Sequence, residues 1–236
     1  MLNMNKVAGI NVDRVQTIIA DTCKNANRDK GEITIVGVTK YTDANGIISC
    51  VEAGINDIGE NKAQDAIAKI DELPLNHKRN IKWHFIGHLQ TNKVKYIVPH
   101  FSLIHSLDRL SLAKEINKQA IKLDITVECL IQVNVSGEQT KYGVAINEAL
   151  EFARNLEQYE RIKIVGLMTM APYFNDPELA RPVFSRLRCL KEEIAQLSLA
   201  NYDMKHLSMG MSNDFVVAIE EGATIVRLGS ILFNNN

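Results

Sequence analysis

Short β-prone runs alternate eight times with amphipathic stretches, and this alternation restricts the fold more than any other feature of the chain. The runs fall at residues 33–40, 57–61, 81–88, 102–106, 126–135, 163–170, 205–208 and 224–229. Between them apolar side chains recur at helical spacing, which predicts helices over 43–53, 61–70, 89–96, 147–156 and 180–197. Asp108 is read as the N-cap of a further helix, and Ser212 as the cap of a last one over 212–221. Pro182 belongs in the first turn of its helix, since a proline deeper inside would break it. An opening helix over 11–29 carries Val12, Val15, Ile18, Ile19 and Cys23 on one face. Eight strand–helix alternations in 236 residues predict an α/β fold, a single (β/α)8 TIM barrel with an extra N-terminal helix and one domain over 1–236. A doubly wound open sheet is the alternative.

Composition narrows the function classes. The formal net charge is -1 and no long basic run is present, which excludes a general nucleic-acid binder. No secretory signal is visible and no apolar run approaches a membrane span, so the cytoplasm is expected, with no membrane partner. Cys23, Cys50, Cys129 and Cys189 form neither a C-x-x-C pair nor a zinc pattern and read as reduced, mostly structural thiols.

A barrel of this kind gathers its chemistry where the carboxyl ends of its strands meet. Lys40 closes the first run, Ile33-Thr34-Ile35-Val36-Gly37-Val38-Thr39-Lys40, where apolar walls are expected around it. A neutral amine at such a place can attack an aldehyde and form a Schiff base. The last two runs lead into Leu207-Ser208-Met209-Gly210-Met211-Ser212 and Val226-Arg227-Leu228-Gly229-Ser230. Glycines there let backbone N–H groups approach an anion, and serines add hydroxyls. Arg227 is a fixed cationic donor for a phosphate or a pyridine nitrogen. A lysine together with anion-binding turns suits a phosphorylated aldehyde, and pyridoxal 5'-phosphate (PLP) is the cofactor they suggest.

Each residue alone has a plainer reading. A strand-end lysine is usually a solvated terminus, and a glycine–serine pair after a strand is usually a turn. His84 and His88, four apart on one predicted strand, would share a face, with no carboxylate or cysteine arranged beside them to hold a metal. Met168 and Met170 read as core or pocket wall. Asn61 and Asn134 read as cap or turn residues. Lys141, in a loop after the fifth run, reads as a surface lysine, with a weaker aldehyde site as the alternative. The joint placement at strand ends carries the functional reading.

Taken together these segments resemble the pyridoxal phosphate homeostasis protein family, also called the YggS or PROSC family. The resemblance rests on Gly59-Glu60-Asn61, Trp83-His84-Phe85-Ile86-Gly87-His88-Leu89-Gln90-Thr91-Asn92-Lys93, His105-Ser106-Leu107-Asp108, Gly166-Leu167-Met168-Thr169-Met170 and the two turns just quoted. It implies a PLP-binding barrel similar to the N-terminal domain of alanine racemases. The family's Schiff-base lysine falls on Lys40, its phosphate-binding serine on Ser208, and the arginine near the pyridine nitrogen on Arg227. Gly229 and Ser230 match the second phosphate-binding turn, and Asn61 and Met168 match pocket-lining positions. Thr39 stands where many relatives have serine.

Racemisation needs a base on one face of the substrate carbon and an acid on the other. Lys40 could serve one face, but no tyrosine is marked as the acid and no second domain is expected to follow the barrel. The resemblance therefore implies a non-enzymatic PLP carrier acting in vitamin B6 homeostasis, with PLP-dependent enzymes as acceptors, and a monomer is expected because the second domain through which the racemases dimerise is not expected here. An amino-acid racemase, a Schiff-base aldolase and an interaction protein with a vestigial pocket are the rivals.

Overall fold

The computed structural model describes residues 4–138 and 141–233. Its strands are β1 (Thr34–Val38), β2 (Asp57–Glu60), β3 (Lys82–Phe85), β4 (Leu103–Leu107), β5 (Val127–Asn134), β6 (Val144–Ala145), β7 (Ile162–Met168), β8 (Tyr202–Ser208) and β9 (Ile225–Leu228). Eight of them close into a ring in the order β1-β2-β3-β4-β5-β7-β8-β9, each parallel to its neighbours. The (β/α)8 barrel is therefore the observed fold. The open sheet is ruled out because β4 pairs with β5 and β1 with β9. The two-residue β6 hangs on the end of β5 outside the ring and is too short to show an alternation in sequence.

Alternation along the strands sorts side chains into two apolar clusters. Val36, Leu103, Leu130, Val165, Met168 and Ile225 pack together inside the barrel, with Met170 against them. Their neighbours Ile104, Ile131, Leu167 and Val226 belong to the larger core outside the ring, under the helices. Val165 and Met168 both enter the inner cluster although they are three apart, because the β7–β8 register shifts between Ile164 and Gly166. Gly166 has φ of +150°, and a Cβ there would lie 2.0 Å from the His206 carbonyl oxygen, so the irregularity needs glycine.

The N-terminal helix spans Met4–Asn25 and buries Val12, Val15, Ile19 and Cys23. It packs on the helices Ala44–Glu52, Phe215–Glu220 and Ser230–Phe233. It stops four residues short of the expected end, since Asn27 takes φ of +53° and Arg28 N returns to Cys23 O at 2.8 Å. Arg28 Nη1 then donates to Ile219 O at 2.7 Å and Ala223 O at 2.8 Å, a cation on the carboxyl end of a neighbouring helix.

Three cap expectations have different outcomes. Pro182 lies in the first turn of Arg181–Ala195, as expected. Asp108 does not cap the helix Leu110–Leu123: its carboxylate accepts from Arg109 Nη1 at 2.6 Å instead. Ser212 does not cap the helix Phe215–Glu220 either, since Asp214 holds that position and accepts from Met211 N at 2.6 Å. Cys23, Cys50 and Cys129 are free and buried, and Cys189 is free and exposed. Among the described residues no helix is long and apolar enough to cross a membrane.

Candidate functional site

Lys40 emerges two residues after β1, and the residue before it is held from three sides. Thr39 N donates to Gly59 O at 3.1 Å, and Thr39 Oγ1 donates to Glu60 Oε1 at 2.5 Å. Thr39 O accepts from Lys69 Nζ at 2.7 Å. Lys69 Nζ also pairs with Glu60 Oε1 at 2.6 Å, and the Glu60 side chain is wholly buried. The backbone beneath Lys40 is thus pinned by a buried ion pair. The expected apolar walls are not there. Lys40 is exposed, with Nζ 4.8 Å from the centre of the Tyr41 ring, which is itself 92% exposed. The chain has left the sheet by this point, and Thr39 takes the last buried position.

Beneath the mouth a continuous hydrogen-bonded chain crosses the barrel. Asp57 Oδ1 lies 2.9 Å from His84 Nε2. His84 Nδ1 lies 2.9 Å from His105 Nε2, and His105 Nδ1 lies 2.9 Å from Ser208 Oγ. Arg227 Nη1 donates to Ser208 Oγ at 2.7 Å, and its Nη2 donates to Thr169 O at 2.8 Å. The step from β4 to β8 joins strands that are not neighbours in the ring. Burial first, and then the charges of His84, Arg227 and His206, hold His105 well below the usual histidine range. Burial pulls Arg227 down to about 10, partly offset by Asp214. Arg227 is thus a cation at neutral pH without a direct carboxylate partner among the described contacts.

The β8 and β9 ends build a separate seat. Gly229 N and Ile231 N donate to Ser212 Oγ at 3.4 and 3.3 Å. A Cβ on Gly229 would meet Val38 at 3.5 Å, an ordinary contact, so the fold itself does not demand glycine there. Ser230 is exposed beside it. Gly210 has φ of +91°, and a Cβ there would lie 2.6 Å from Ala218 Cβ, so this turn does demand glycine.

The structure brings several expected residues together. Ser208 and Arg227 touch, Met168 sits beside Ser208 in the β7–β8 register, and Gly229 backs onto Val38 two residues before Lys40. Asn61 lies apart from these contacts. Its backbone presses on Gly87, and it lines a cleft of about 240 Å³ with His88, Gln90 and Lys93 that none of the other expected residues enters. His84 and His88 do not share a face, because β3 ends at Phe85. His88 stacks on Tyr142 at 4.0 Å and lies 3.6 Å from Asp108. Both histidines have a carboxylate partner, contrary to expectation, yet no metal-binding cluster is present among the described residues. Lys141 Nζ lies 3.2 Å from Glu138.

Sequence reasoning quoted His105 and Glu60 in its strand-end segments but gave them no role, missed Asp57 and the Lys69–Glu60–Thr39 anchor, and placed Ser212 in a capping role. One signal was available: His105 shares the inward parity of Leu103 on β4, an odd place for a lone polar ring.

A model of the alanine racemase N-terminal domain matches residues 18–236. A pyridoxal phosphate homeostasis protein from Aquifex aeolicus is 43% identical over 94% of this chain and 95% of its own length. A crystal structure of a protein of unknown function from Bifidobacterium adolescentis superposes with a TM-score of 0.93 at 32% identity, covering 99% of this chain and 98% of that one. PipY from Synechococcus elongatus, solved with PLP bound, superposes with a TM-score of 0.77 at 30% identity, covering 92% of this chain and all of its own.

Proposed function

The chain belongs to the pyridoxal phosphate homeostasis protein family, and we propose that it holds PLP at the barrel mouth to store, buffer or deliver it. One observation carries this reading: a reachable amine, Lys40, follows two residues after Val38, which packs against Gly229 in the turn whose Gly229 and Ile231 N–H groups converge on one oxygen. The name of the Aquifex relative and the PLP in PipY support it.

The residues present fit the cofactor. Lys40 Nζ is open to an aldehyde. The N–H groups of Gly229 and Ile231, with the hydroxyls of Ser212 and Ser230, have the chemistry to hold a phosphate. Ser212 now shares that role, because the Ser208 oxygen already meets His105 and Arg227. Ser208 serves the cofactor through Arg227, whose guanidinium suits an unprotonated pyridine nitrogen. Met168 and Asn61 remain wall residues in this reading. When bound, PLP supplies an aldehyde that an amine captures reversibly.

Arg227 argues for a carrier over an enzyme. A guanidinium offers only donors, so a pyridine nitrogen facing it keeps no proton and draws electrons weakly. Of the three mouth tyrosines, Tyr41 and Tyr173 are 92% and 79% exposed and lack the fixed position that an acid opposite Lys40 needs, and the Tyr142 ring is held in a stack on His88. The protein is read as a cytoplasmic monomer and one barrel domain, with PLP-dependent enzymes as acceptors and neither nucleic acid nor membrane as partner.

Borohydride reduction of the protein after incubation with PLP, followed by peptide mapping, tests the reading. A phosphopyridoxyl group on Lys40 is expected. An unmodified Lys40 at excess PLP overturns the proposal. Turnover of D- or L-amino acids by the loaded protein would replace the carrier with a racemase.

A further inference from the structure

The chain from Asp57 to Arg227 has an acceptor-only group at one end and a donor-only group at the other. With both rings neutral, the protons between them have one arrangement. The Asp57 carboxylate must accept from His84 Nε2–H, which leaves His84 Nδ1 as an acceptor. His105 Nε2–H then donates to it, which leaves His105 Nδ1 as an acceptor for the Ser208 hydroxyl. Ser208 Oγ keeps its lone pairs for Arg227 Nη1. The end charges favour the same sense, since every proton in the chain points from the guanidinium toward the carboxylate, and such bonds polarise one another in a buried setting.

We propose that Asp57 is a positioning residue for the cofactor site: it sets the direction of the whole hydrogen-bond chain and so turns the Ser208 proton away from Arg227. The Asp57 side chain lies at the amino-terminal end of β2, away from the mouth, and is 22% exposed. Its influence reaches Arg227 through two rings and a hydroxyl. Without Asp57 the rings can reverse, His105 Nδ1–H donates to Ser208 Oγ, and the oxygen divides its acceptor capacity between His105 and Arg227. The bond from Arg227 Nη1 weakens, and Thr169 O, which accepts from Nη2, is left as the guanidinium's firm anchor beneath the mouth. The consequence for PLP rests on the function proposed above; the proton arrangement does not.

Side-chain 15N NMR of the PLP-free protein reads the arrangement directly. His84 and His105 are both expected as neutral Nε2–H tautomers. An Nδ1–H tautomer at either ring, or a doubly protonated His84, overturns the proposal. In Asp57→Ala, checked for folding by its amide spectrum, His105 is expected to populate the Nδ1–H form; tautomers unchanged from wild type would also overturn it. In the PLP-loaded protein, Asp57→Ala is expected to release PLP about three- to tenfold faster with Lys40 still modified, the loss of one oriented hydrogen bond. A release rate equal to wild type would remove Asp57 from the site. If the wild-type protein takes up no PLP, the proposed function fails while the tautomer measurement still stands.

Discussion

Arg227 Nη1 donates to Ser208 Oγ at 2.7 Å, and both side chains are buried. A serine hydroxyl is thus the hydrogen-bond partner of a buried guanidinium N–H. Ser208→Ala leaves that N–H without an acceptor and His105 Nδ1 without its hydroxyl. The expected cost is about 1–3 kcal/mol for each orphaned group. Urea denaturation of the PLP-free variant checks it, and a midpoint equal to wild type would refute the pairing. Retention of PLP is expected to weaken as well, since Arg227 loses its brace.

Acid should weaken the fold through the buried histidines. His105 and His206 both have folded pKa values depressed chiefly by burial. The unfolded chain therefore binds more protons than the folded one as pH drops through the ordinary histidine range. The stability contributed by the neutral rings is present above that range and lost below it, with a slope of up to about 1.4 kcal/mol per pH unit for His105. Asp214, raised by burial, works in the opposite sense across the carboxylate range. Denaturation at pH 5, 6, 7 and 8 should show stability falling toward pH 5. A flat profile would mean that His105 is protonated in the folded state.

The barrel is legible in the sequence because eight β-prone runs alternate with amphipathic stretches, and runs such as those of β5 and β9 are apolar toward both the barrel interior and the helices. The positions of Lys40, Arg227 and Gly229 at or near strand ends are legible because such runs break off there into polar residues and glycine. The Asp57–His84–His105–Ser208 chain is not. Its links join residues 27, 21 and 103 positions apart, and only the register of the closed ring brings them within 2.9 Å. The environment of Lys40 is misread for a related reason, since a strand pattern says where an apolar run ends but not how soon the chain leaves the sheet. The Lys69 contact to Thr39 O comes from a helix, Ala63–Glu72, whose inner face is read as apolar packing.

Lys69→Met should be among the more damaging substitutions outside the strands. It removes the cation from Glu60, whose side chain is wholly buried, and frees the Thr39 carbonyl that precedes Lys40. Breaking one partner of a buried pair costs about 3–5 kcal/mol, whereas replacing both by apolar groups is often close to neutral. Lys69→Met with Glu60→Leu should therefore recover much of the stability lost by Lys69→Met alone. A double-mutant cycle in guanidinium chloride measures this coupling. Additive losses would mean that the ion pair does not act as a unit. Labelling of Lys40 by PLP should be slower than in wild type in both the single and the double variant, because each lacks the Lys69 contact to Thr39 O.

Gly210 and Gly229 make opposite predictions, which separates fold from function at the mouth. At Gly210 an alanine must adopt φ of +91° with its Cβ 2.6 Å from Ala218 Cβ and 3.0 Å from Phe215 Cα. Strain of this kind costs of the order of 1–3 kcal/mol, so Gly210→Ala should lower the melting temperature with or without cofactor. At Gly229 the same substitution meets only Val38 at 3.5 Å, and φ lies outside the left-handed region. The PLP-free Gly229→Ala protein should unfold within about 1 kcal/mol of wild type or become slightly more stable, since alanine restricts the unfolded chain. Its deficit should appear only with PLP: the added methyl group crowds the N–H that faces the Ser212 hydroxyl, and the stabilisation conferred by PLP should shrink. Melting curves of both variants at several PLP concentrations decide the point. Equal PLP-dependent shifts in Gly229→Ala and wild type would move the phosphate seat away from this turn.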